Sequence, residues 1–319
     1  MRFRASSAGF AALVAVVSGT ATGSVGGAPT PDARVAQRFG HVTRTTPWTL
    51  VRSIPIPFRT FHPQGMVKIG EDFYVSSVEV TTAPKKREGS PGGHDRDAGA
   101  GVGHLFRIGP DGALLADLKL GEGSIYHPGG VDFDGRFLWV PTAEYRPDSR
   151  SILYRVDPQN MTAKVVARFG DHVGALSFDR ERRELFGVSW GSRRFYRWRI
   201  GAAGALTPVG STKGGTPNPE HYIDYQDCHG VDRMQVLCSG LATYASAGGA
   251  PALTLGGIDL IDVRDGRPVW QVPIELRSPS GRPMTQNPFF VEATTTGLRA
   301  YFMPDDDAST IYIFDAAVR

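Results

Sequence analysis

The sequence has no apolar run long enough to cross a membrane. The run from Ala8 to Val17 is too short to span a bilayer, and no cysteine follows it that could carry a lipid anchor. It lies between a basic start, Met1-Arg2-Phe3-Arg4, and small residues from Ser18 to Ala28. This order predicts a Sec-type signal peptide over residues 1–30, and therefore a secreted protein without a membrane anchor.

No motif of the common nucleotide-binding or serine-nucleophile classes occurs in a suitable context. A Gly-x-Ser-x-Gly elbow, a P-loop and a dinucleotide fingerprint are all absent from any suitable context, so no nucleotide cofactor is expected. Loss of Arg2 and Arg4 with the signal peptide would lower the formal net charge from +3 to +1. Because no cluster of Lys and Arg lies beside stacking aromatic residues, binding to nucleic acid is not expected either.

Cysteine is scarce, with two residues in a chain of 319. Cys228 and Cys238 flank Gly230-Val231-Asp232-Arg233, which has the character of a hairpin turn. In an exported protein such a pair predicts a disulfide that joins adjacent strands of one hairpin. The alternative, a reactive thiol, has no supporting partner beyond the nearby His229.

What the sequence does have is a repeat marked by histidine. His127-Pro128-Gly129-Gly130-Val131 begins a predicted hairpin that passes through Asp134-Gly135 into Trp139-Val140. His62-Pro63-Gln64-Gly65 begins a similar unit, and 13 residues separate His62 from Val75, as they separate His127 from Val140. His172 opens a third unit of the same kind.

These units predict the fold. Further units begin near 225 and at Asn287, each unit contains short strands in sets of four, and 39 Gly and 23 Pro suit many strands joined by turns. This self-similarity is typical of a five-bladed β-propeller. The last unit is one strand short, and the strand at Trp48–Ile54 is predicted to complete it. We expect an N-terminal segment at 31–46 and one propeller domain over 47–319. A six- or seven-bladed propeller would need strands that the sequence does not offer, and a β-sandwich would not explain the repeat.

The first strand of each blade lines the channel of a propeller, so the residues that open the units are expected at one channel mouth. Three are His62, His127 and His172, and the fourth unit offers Tyr225 or Gln226 at the matching place. Imidazoles leave open positions on a divalent metal ion such as Mn, Zn or Fe. We therefore predict metal ligation by the three histidines with Gln226, or His229, as a fourth ligand. Asp305-Asp306-Asp307 is a weaker indication of Ca, for which a solvated turn is the alternative.

Neighbouring loops supply the other candidate residues. His127, His172 and Glu144 are predicted to be catalytic, with proton transfer by a histidine or by Glu144. Tyr145, Arg146, Trp190 and Asn287 are predicted to bind the substrate. Carboxylates are missing from the inner positions, which disfavours a two-carboxylate glycosidase.

This set of residues resembles secreted propeller lyases for uronate polysaccharides, which hold a divalent metal with channel-mouth histidines and a glutamine. The resemblance rests on residue types and covers no contiguous motif. Our first hypothesis is therefore a metal-dependent lyase or hydrolase for an extracellular carbohydrate or lactone-like small molecule, and we expect a monomer. Two alternatives stay open: the histidines lock the blades together, or the protein is a non-catalytic lectin-like or scaffold propeller.

Overall fold

Five antiparallel sheets form the molecule. The computed structural model describes residues 31–86, 94–210, 215–219, 222–232, 234–245 and 252–318. The predicted signal peptide, at 1–30, lies outside the described residues. So do residues 87–93, which belong to the Gly-rich loop between Thr82 and Ala100. Within the described ranges, no helix is long and apolar enough to cross a membrane.

The first three blades follow one another along the chain. Blade 1 contains β2 His62–Ile69, β3 Asp72–Thr82, β4 Ala100–Ile108 and β5 Leu114–Leu120. Blade 2 contains β6 His127–Pro128, β7 Asp132–Phe133, β8 Leu138–Ala143, β9 Ser151–Asp157 and β10 Thr162–Phe169. Blade 3 contains β11 Val173–Asp179, β12 Glu184–Ser189, β13 Arg194–Ile200, β14 Leu206–Pro208 and β15 Thr216–Pro217.

The last two blades complete the ring. Blade 4 contains β16 Asp224–Asp232, β17 Gln235–Tyr244, β18 Leu253–Asp262 and β19 Arg267–Ile274. Blade 5 contains β20 Phe289–Ala293, β21 Gly297–Phe302, β22 Thr310–Ala317 and, as its outer strand, β1 Trp48–Pro55. β1 pairs with β22 from Trp48 opposite Ala316 to Pro55 opposite Thr310. The predicted five-bladed propeller, closed by an N-terminal strand, is therefore confirmed.

The Gly-Gly pair of blade 2 is explained by close contact between inner strands. Gly130 donates its N–H to the carbonyl of Gly174 at 2.9 Å and accepts from Leu176 at 3.1 Å. A Cβ atom on Gly129 would overlap the main-chain oxygen of Gly174. The approach interrupts the inner strand, so that β6 and β7 are separate short segments.

The core lies between neighbouring blades. Trp139 and Leu153 of blade 2, for example, share a buried cluster with Leu176 and Trp198 of blade 3. Strands β8 and β12 are buried at every position, as expected for strands that a neighbouring sheet covers on both faces.

A short helix, α1 Pro31–Phe39, precedes the first strand. Phe39 and the following Val42 are buried in the cluster that contains Phe289 and Leu298 of blade 5. Arg38 donates to the carbonyl oxygen of Gly297 at 2.8 Å. From the sequence we expect only an N-terminal segment here, because its few apolar residues make their contacts with blades far along the chain.

A buried ionic network joins the inner strands. His229 of blade 4 lies between the carboxylates of Asp132, at 3.4 Å, and Asp227, at 3.6 Å. Asp132 also accepts hydrogen bonds from the main-chain N–H groups of Phe178 and Gly230, at 2.8 and 2.9 Å. Burial alone would lower the pKa of His229, but the two carboxylates outweigh it and raise the pKa to about 10. The network therefore contains an imidazolium at neutral pH.

The predicted disulfide is present. Cys228 and Cys238 lie opposite each other in β16 and β17 and form a disulfide bond. Their hairpin turn includes Arg233, which lies outside the residues that the structure describes. A disulfide is consistent with a secreted protein.

Candidate functional site

A polar pocket of about 260 Å³ opens where the inner strands of the first four blades begin. Its lining includes residues that the sequence predicted for the site and residues that it did not. The lining consists of His62, Gln64, Arg96, His127, Tyr145, His172, Gly174, Ser189, Trp190, Gly191, Asp224, Tyr225 and Gln226. Six of the predicted residues thus share one volume: the three histidines, Tyr145, Trp190 and Gln226.

The three histidines form an arc with His127 in the middle. The ring centroids of His62 and His127 are 6.5 Å apart, and those of His127 and His172 are 6.1 Å apart. Each comes from or just precedes the first strand of its blade, so the repeat itself brings the rings together.

His127 is buried, and neither of its ring nitrogens has a hydrogen-bond partner among the described residues. Burial, together with the neighbouring His172 and His62, holds the pKa of His127 well below its usual range. A buried polar group without a partner is unusual in proteins and calls for a ligand, ion or water. His127 therefore marks the place where a bound species would make its contacts.

His172 is fixed by the loop that follows β8. Its Nδ1 atom donates to the main-chain oxygen of Glu144 at 2.9 Å. Because a carbonyl only accepts, Nδ1 carries the proton and the lone pair is on Nε2. Burial lowers the pKa of His172 to about 4, so the ring is neutral at pH 7.

His62 is fixed by a carboxylate instead. Its Nδ1 atom lies 2.7 Å from Oδ1 of Asp306, which also contacts Arg282 and Asn287. Burial would raise the pKa of Asp306, but the hydrogen bond from His62 and the nearby Arg282 lower it. In the neutral ring of His62, an ionised Asp306 places the proton on Nδ1 and leaves the lone pair on Nε2, as in His172.

One wall of the pocket is aromatic. The ring of Tyr145 lies 4.2 Å from that of His127 and 5.7 Å from that of Trp190, measured between centroids. The Arg96 guanidinium lies 5.1 Å from the Trp190 ring centroid. Burial raises the pKa of Tyr145, so its hydroxyl keeps its proton at neutral pH.

Blade 4 contributes both residues between which the sequence could not choose. Tyr225 and Gln226 both line the pocket, but the Tyr225 hydroxyl donates to Asp259 at 2.8 Å. Gln226 donates only weakly, to the main-chain oxygen of Asp224 at 3.4 Å. Its amide is the polar group of this blade best placed to contact a ligand.

Glu144 is not part of the pocket lining. Its carboxylate accepts from Ser124 and Arg150 on one oxygen and from Arg146 on the other, at 2.6 to 2.7 Å. Burial would raise the pKa of Glu144, but these hydrogen bonds lower it. Glu144 and the predicted substrate ligand Arg146 thus hold each other, and Glu144 positions His172 through its carbonyl.

Two other predicted residues also lie elsewhere. Asn287 is buried and donates to Pro304 and to Asp306, each at 3.1 Å. His229, considered as an alternative metal ligand, is engaged in the ionic network of the inner strands.

A family model matches almost the whole range of residues that form the helix and the propeller. Residues 34–319 match a family described as a family of unknown function, DUF6454. The chain belongs to the DUF6454 family. The match includes most of helix α1, as well as all five blades, so the helix and the propeller are common parts of one family unit.

Solved structures similar to this DUF6454 chain include a GH43 endo-arabinanase from Bacillus licheniformis, with 11% identity and a TM-score of 0.45 over 82% of this chain and 95% of that one. A luciferin-regenerating enzyme has 10% identity and a TM-score of 0.42 over 84% and 98% of the two chains. Hydrazine synthase from Kuenenia stuttgartiensis has 13% and 0.35 over 84% and 66%. None of the curated proteins matches the chain. The five-bladed fold itself rests on the sheet topology.

The donor set suits a metal only in part. In the described part of this DUF6454 chain, no three His, Cys, Asp or Glu side chains are grouped closely enough to hold an ion as they stand. Two imidazoles nevertheless have a protonated Nδ1 held by an oxygen, which is how metal-binding histidines are usually oriented. The third, His127, has no hydrogen-bond partner for either ring nitrogen within the described ranges. The metal therefore stays a prediction, and its ligands would have to draw together.

The acidic triplet does not form a calcium loop. Asp305 accepts from Ser278 and Ser280, and Asp307 pairs with Arg59 at 2.6 Å. Asp306 turns to His62. The three carboxylates of this DUF6454 chain therefore serve three different contacts.

Sequence reasoning missed several residues of the site, among them Gln64, Arg96 and Asp306. Gln64 follows His62 by two residues, so strand alternation alone would have placed it on the same face. Arg96 lies in the Gly-rich loop, and Asp306 was considered only as part of the acidic triplet. Neither has a local pattern that points to the histidines.

Proposed function

We propose that this DUF6454 chain is a secreted, monomeric, metal-dependent enzyme that acts on an extracellular carbohydrate or lactone-like molecule as a lyase or hydrolase. One observation carries the proposal: His127 is buried, neither of its ring nitrogens has a hydrogen-bond partner among the described residues, and it lies between two histidines whose Nδ1 atoms are already engaged. Imidazoles that converge on a pocket are ligands that suit Mn, Fe or Zn.

The ligands would be Nε2 of His62, Nε2 of His172 and a ring nitrogen of His127, with the Gln226 amide beside them. A bound divalent metal would supply Lewis acidity, to polarise a carbonyl or carboxylate or to activate water. Calcium is disfavoured, because Asp306 is held by His62 and Arg282, and hard cations need oxygen ligands.

The remaining residues would bind and orient the substrate. Tyr145 and Trp190 form an apolar wall suited to the C–H face of a sugar or lactone ring. Arg96 and Gln64 offer donors to its oxygen atoms. Glu144 is the less suitable proton carrier, since its oxygens already accept three side chains. The Tyr145 hydroxyl, or a pocket imidazole that does not ligate the metal, is better placed to transfer a proton.

Metal analysis of the purified protein tests this proposal. We expect about one equivalent of transition metal, lost in His127→Ala and His172→Ala and retained in His41→Ala, whose side chain is exposed. Sugars and lactones are then screened for turnover with and without added Mn²⁺, Fe²⁺ or Zn²⁺. Absence of metal in folded wild-type protein, under every loading condition, would contradict the metal-dependent mechanism.

A second candidate, a non-catalytic binding propeller, is favoured by one observation. The pocket joins an aromatic wall to amide side chains, Gln64 and Gln226, and its single lining carboxylate, Asp224, is paired with Arg193 at 2.7 Å. Saccharide binding without turnover, undiminished in His127→Ala but lost in Trp190→Ala, would support it. Size-exclusion chromatography with light scattering tests the monomer.

A further inference from the structure

Asp306 is held by three side chains from different parts of the chain. Its Oδ1 atom accepts from His62 at 2.7 Å and from the Asn287 amide at 3.1 Å, and its Oδ2 atom accepts from Arg282 at 2.8 Å. Asn287 is itself buried and anchored to the carbonyl of Pro304 at 3.1 Å. The carboxylate is therefore fixed in orientation before any ligand arrives.

This orientation determines which nitrogen of His62 carries the proton. A carboxylate that already accepts from Arg282 and Asn287 has no proton to give, so the Nδ1 atom of His62 must donate. In the neutral form of this partly exposed, pocket-lining ring, Nε2 then carries the lone pair. Among the residues that the structure describes, Asp306 is the hydrogen-bond partner of the His62 ring, so its loss would free the tautomer.

The neighbouring aspartates show that this contact is particular to Asp306. Asp305 accepts from two serines, and Asp307 pairs at the surface with Arg59, with about half of its side chain exposed. Three consecutive carboxylates thus share charge and sequence context, but one of them contacts the histidine arc.

We infer that Asp306 is a positioning residue of the pocket, held by Arg282 and Asn287, which fixes His62 as the Nδ1–H tautomer and presents its Nε2 lone pair to a ligand. The inference deepens the proposed function, and rests on it for the identity of the ligand. It assigns to Asn287 an indirect role, in place of the substrate contact predicted from sequence. Its direct consequence, the tautomer, holds in the ligand-free protein.

Nitrogen-15 NMR of histidine-labelled, metal-free protein tests the tautomer, with the His62→Gln variant used to assign the resonances. We expect the Nδ1–H form for His62 in the wild type and in Asp307→Asn. In Asp306→Asn and Asp306→Ala we expect an increased population of the Nε2–H form. An Nε2–H tautomer in the wild type, or an Nδ1–H form that persists in a folded Asp306→Ala protein, would overturn the inference.

Calorimetric titration with Zn²⁺ alone gives the second readout. Loss of an outer carboxylate typically weakens metal binding roughly 10–100-fold, so we expect a loss of that size in Asp306→Ala and unchanged affinity in Asp307→Asn. Equal affinity in Asp306→Ala and wild type would contradict the positioning role. If the wild type binds no metal, the proposed function fails while the tautomer still decides the inference. Near-isosteric Asp306→Asn keeps the test valid should the alanine variant not fold.

Discussion

The Oδ2 atom of Asp227 accepts a 2.8 Å hydrogen bond from the main-chain N–H of Met66, so that a carboxylate of blade 4 holds the inner strand of blade 1. The same carboxylate lies 3.6 Å from His229, whose Nε2 atom donates to the carbonyl of Phe289 in blade 5 at 2.8 Å. With Asp132 from blade 2, the network reaches the inner strands of all five blades, since Asp132 accepts from Phe178 in blade 3. The inner strands belong to five separate sheets, and this network connects them to one another.

The first prediction concerns the stability that this network provides. We expect Asp227→Asn to lower the free energy of unfolding by about 3–5 kcal/mol, because it leaves the buried imidazolium of His229 with one carboxylate. Urea denaturation measures the loss. Glu71→Gln is the matched control, since that carboxylate is exposed and its ion pair with Lys68 is long, at 3.9 Å. Similar stability of the two variants would show that the network contributes little.

The second prediction is a decline of stability in alkaline solution. An unfolded histidine titrates near pH 6.5, whereas Asp227 and Asp132 raise the pKa of His229 to about 10. Folding is then linked to proton uptake between these values, so the free energy of unfolding falls as the pH rises from about 6.5 toward 10. Denaturation at pH 7 and 9.5 measures the fall. A His229→Gln variant should show a flatter profile, and an equal slope in both proteins would refute the assignment.

The third prediction concerns the contact between blades 2 and 3. Gly129→Ala would drive a methyl group into the main-chain oxygen of Gly174, which is backbone and cannot rotate away. We expect a loss of about 3 kcal/mol, at the upper end of overpacking costs. Gly170→Ala serves as the control, because a Cβ there meets nothing within 4 Å. Thermal unfolding of both variants checks the difference, and equal melting temperatures would contradict the steric explanation.

Some parts of this molecule could be predicted from the sequence alone. The spacing of His62 and His127 from the strands that follow repeats locally, so it predicted the blades and the arc of histidines. The missing strand of the last unit predicted that Trp48–Ile54 would close the ring, because an open sheet edge is unfavourable. Each of these conclusions needed only the order of elements along the chain.

The partners of the histidines could not be predicted from the sequence, because they lie far away along the chain. His62 meets Asp306 across 244 residues, and His229 meets Asp132 across 97. No periodicity links such positions, and an acidic residue in a turn has the same local pattern whether it binds calcium, water or a histidine. Helix α1 was not predicted for the same reason, since the apolar residues that pack against Phe39 include residues of blade 5.

The last prediction concerns His172 in acid. Burial lowers the pKa of His172 to about 4, while the unfolded chain would bind this proton near pH 6.5. The unfolded state therefore takes up a proton first, and the free energy of unfolding falls as the pH drops from about 6.5 to 4, by on the order of 3 kcal/mol. Denaturation at pH 7 and 4.5 measures this fall, which should be smaller in His172→Gln and unchanged in His41→Gln. Burial of His127 acts in the same direction. If His172→Gln keeps the full acid dependence of the wild type, the ring is protonated in the folded pocket, and it would then offer no lone pair to a metal at that pH.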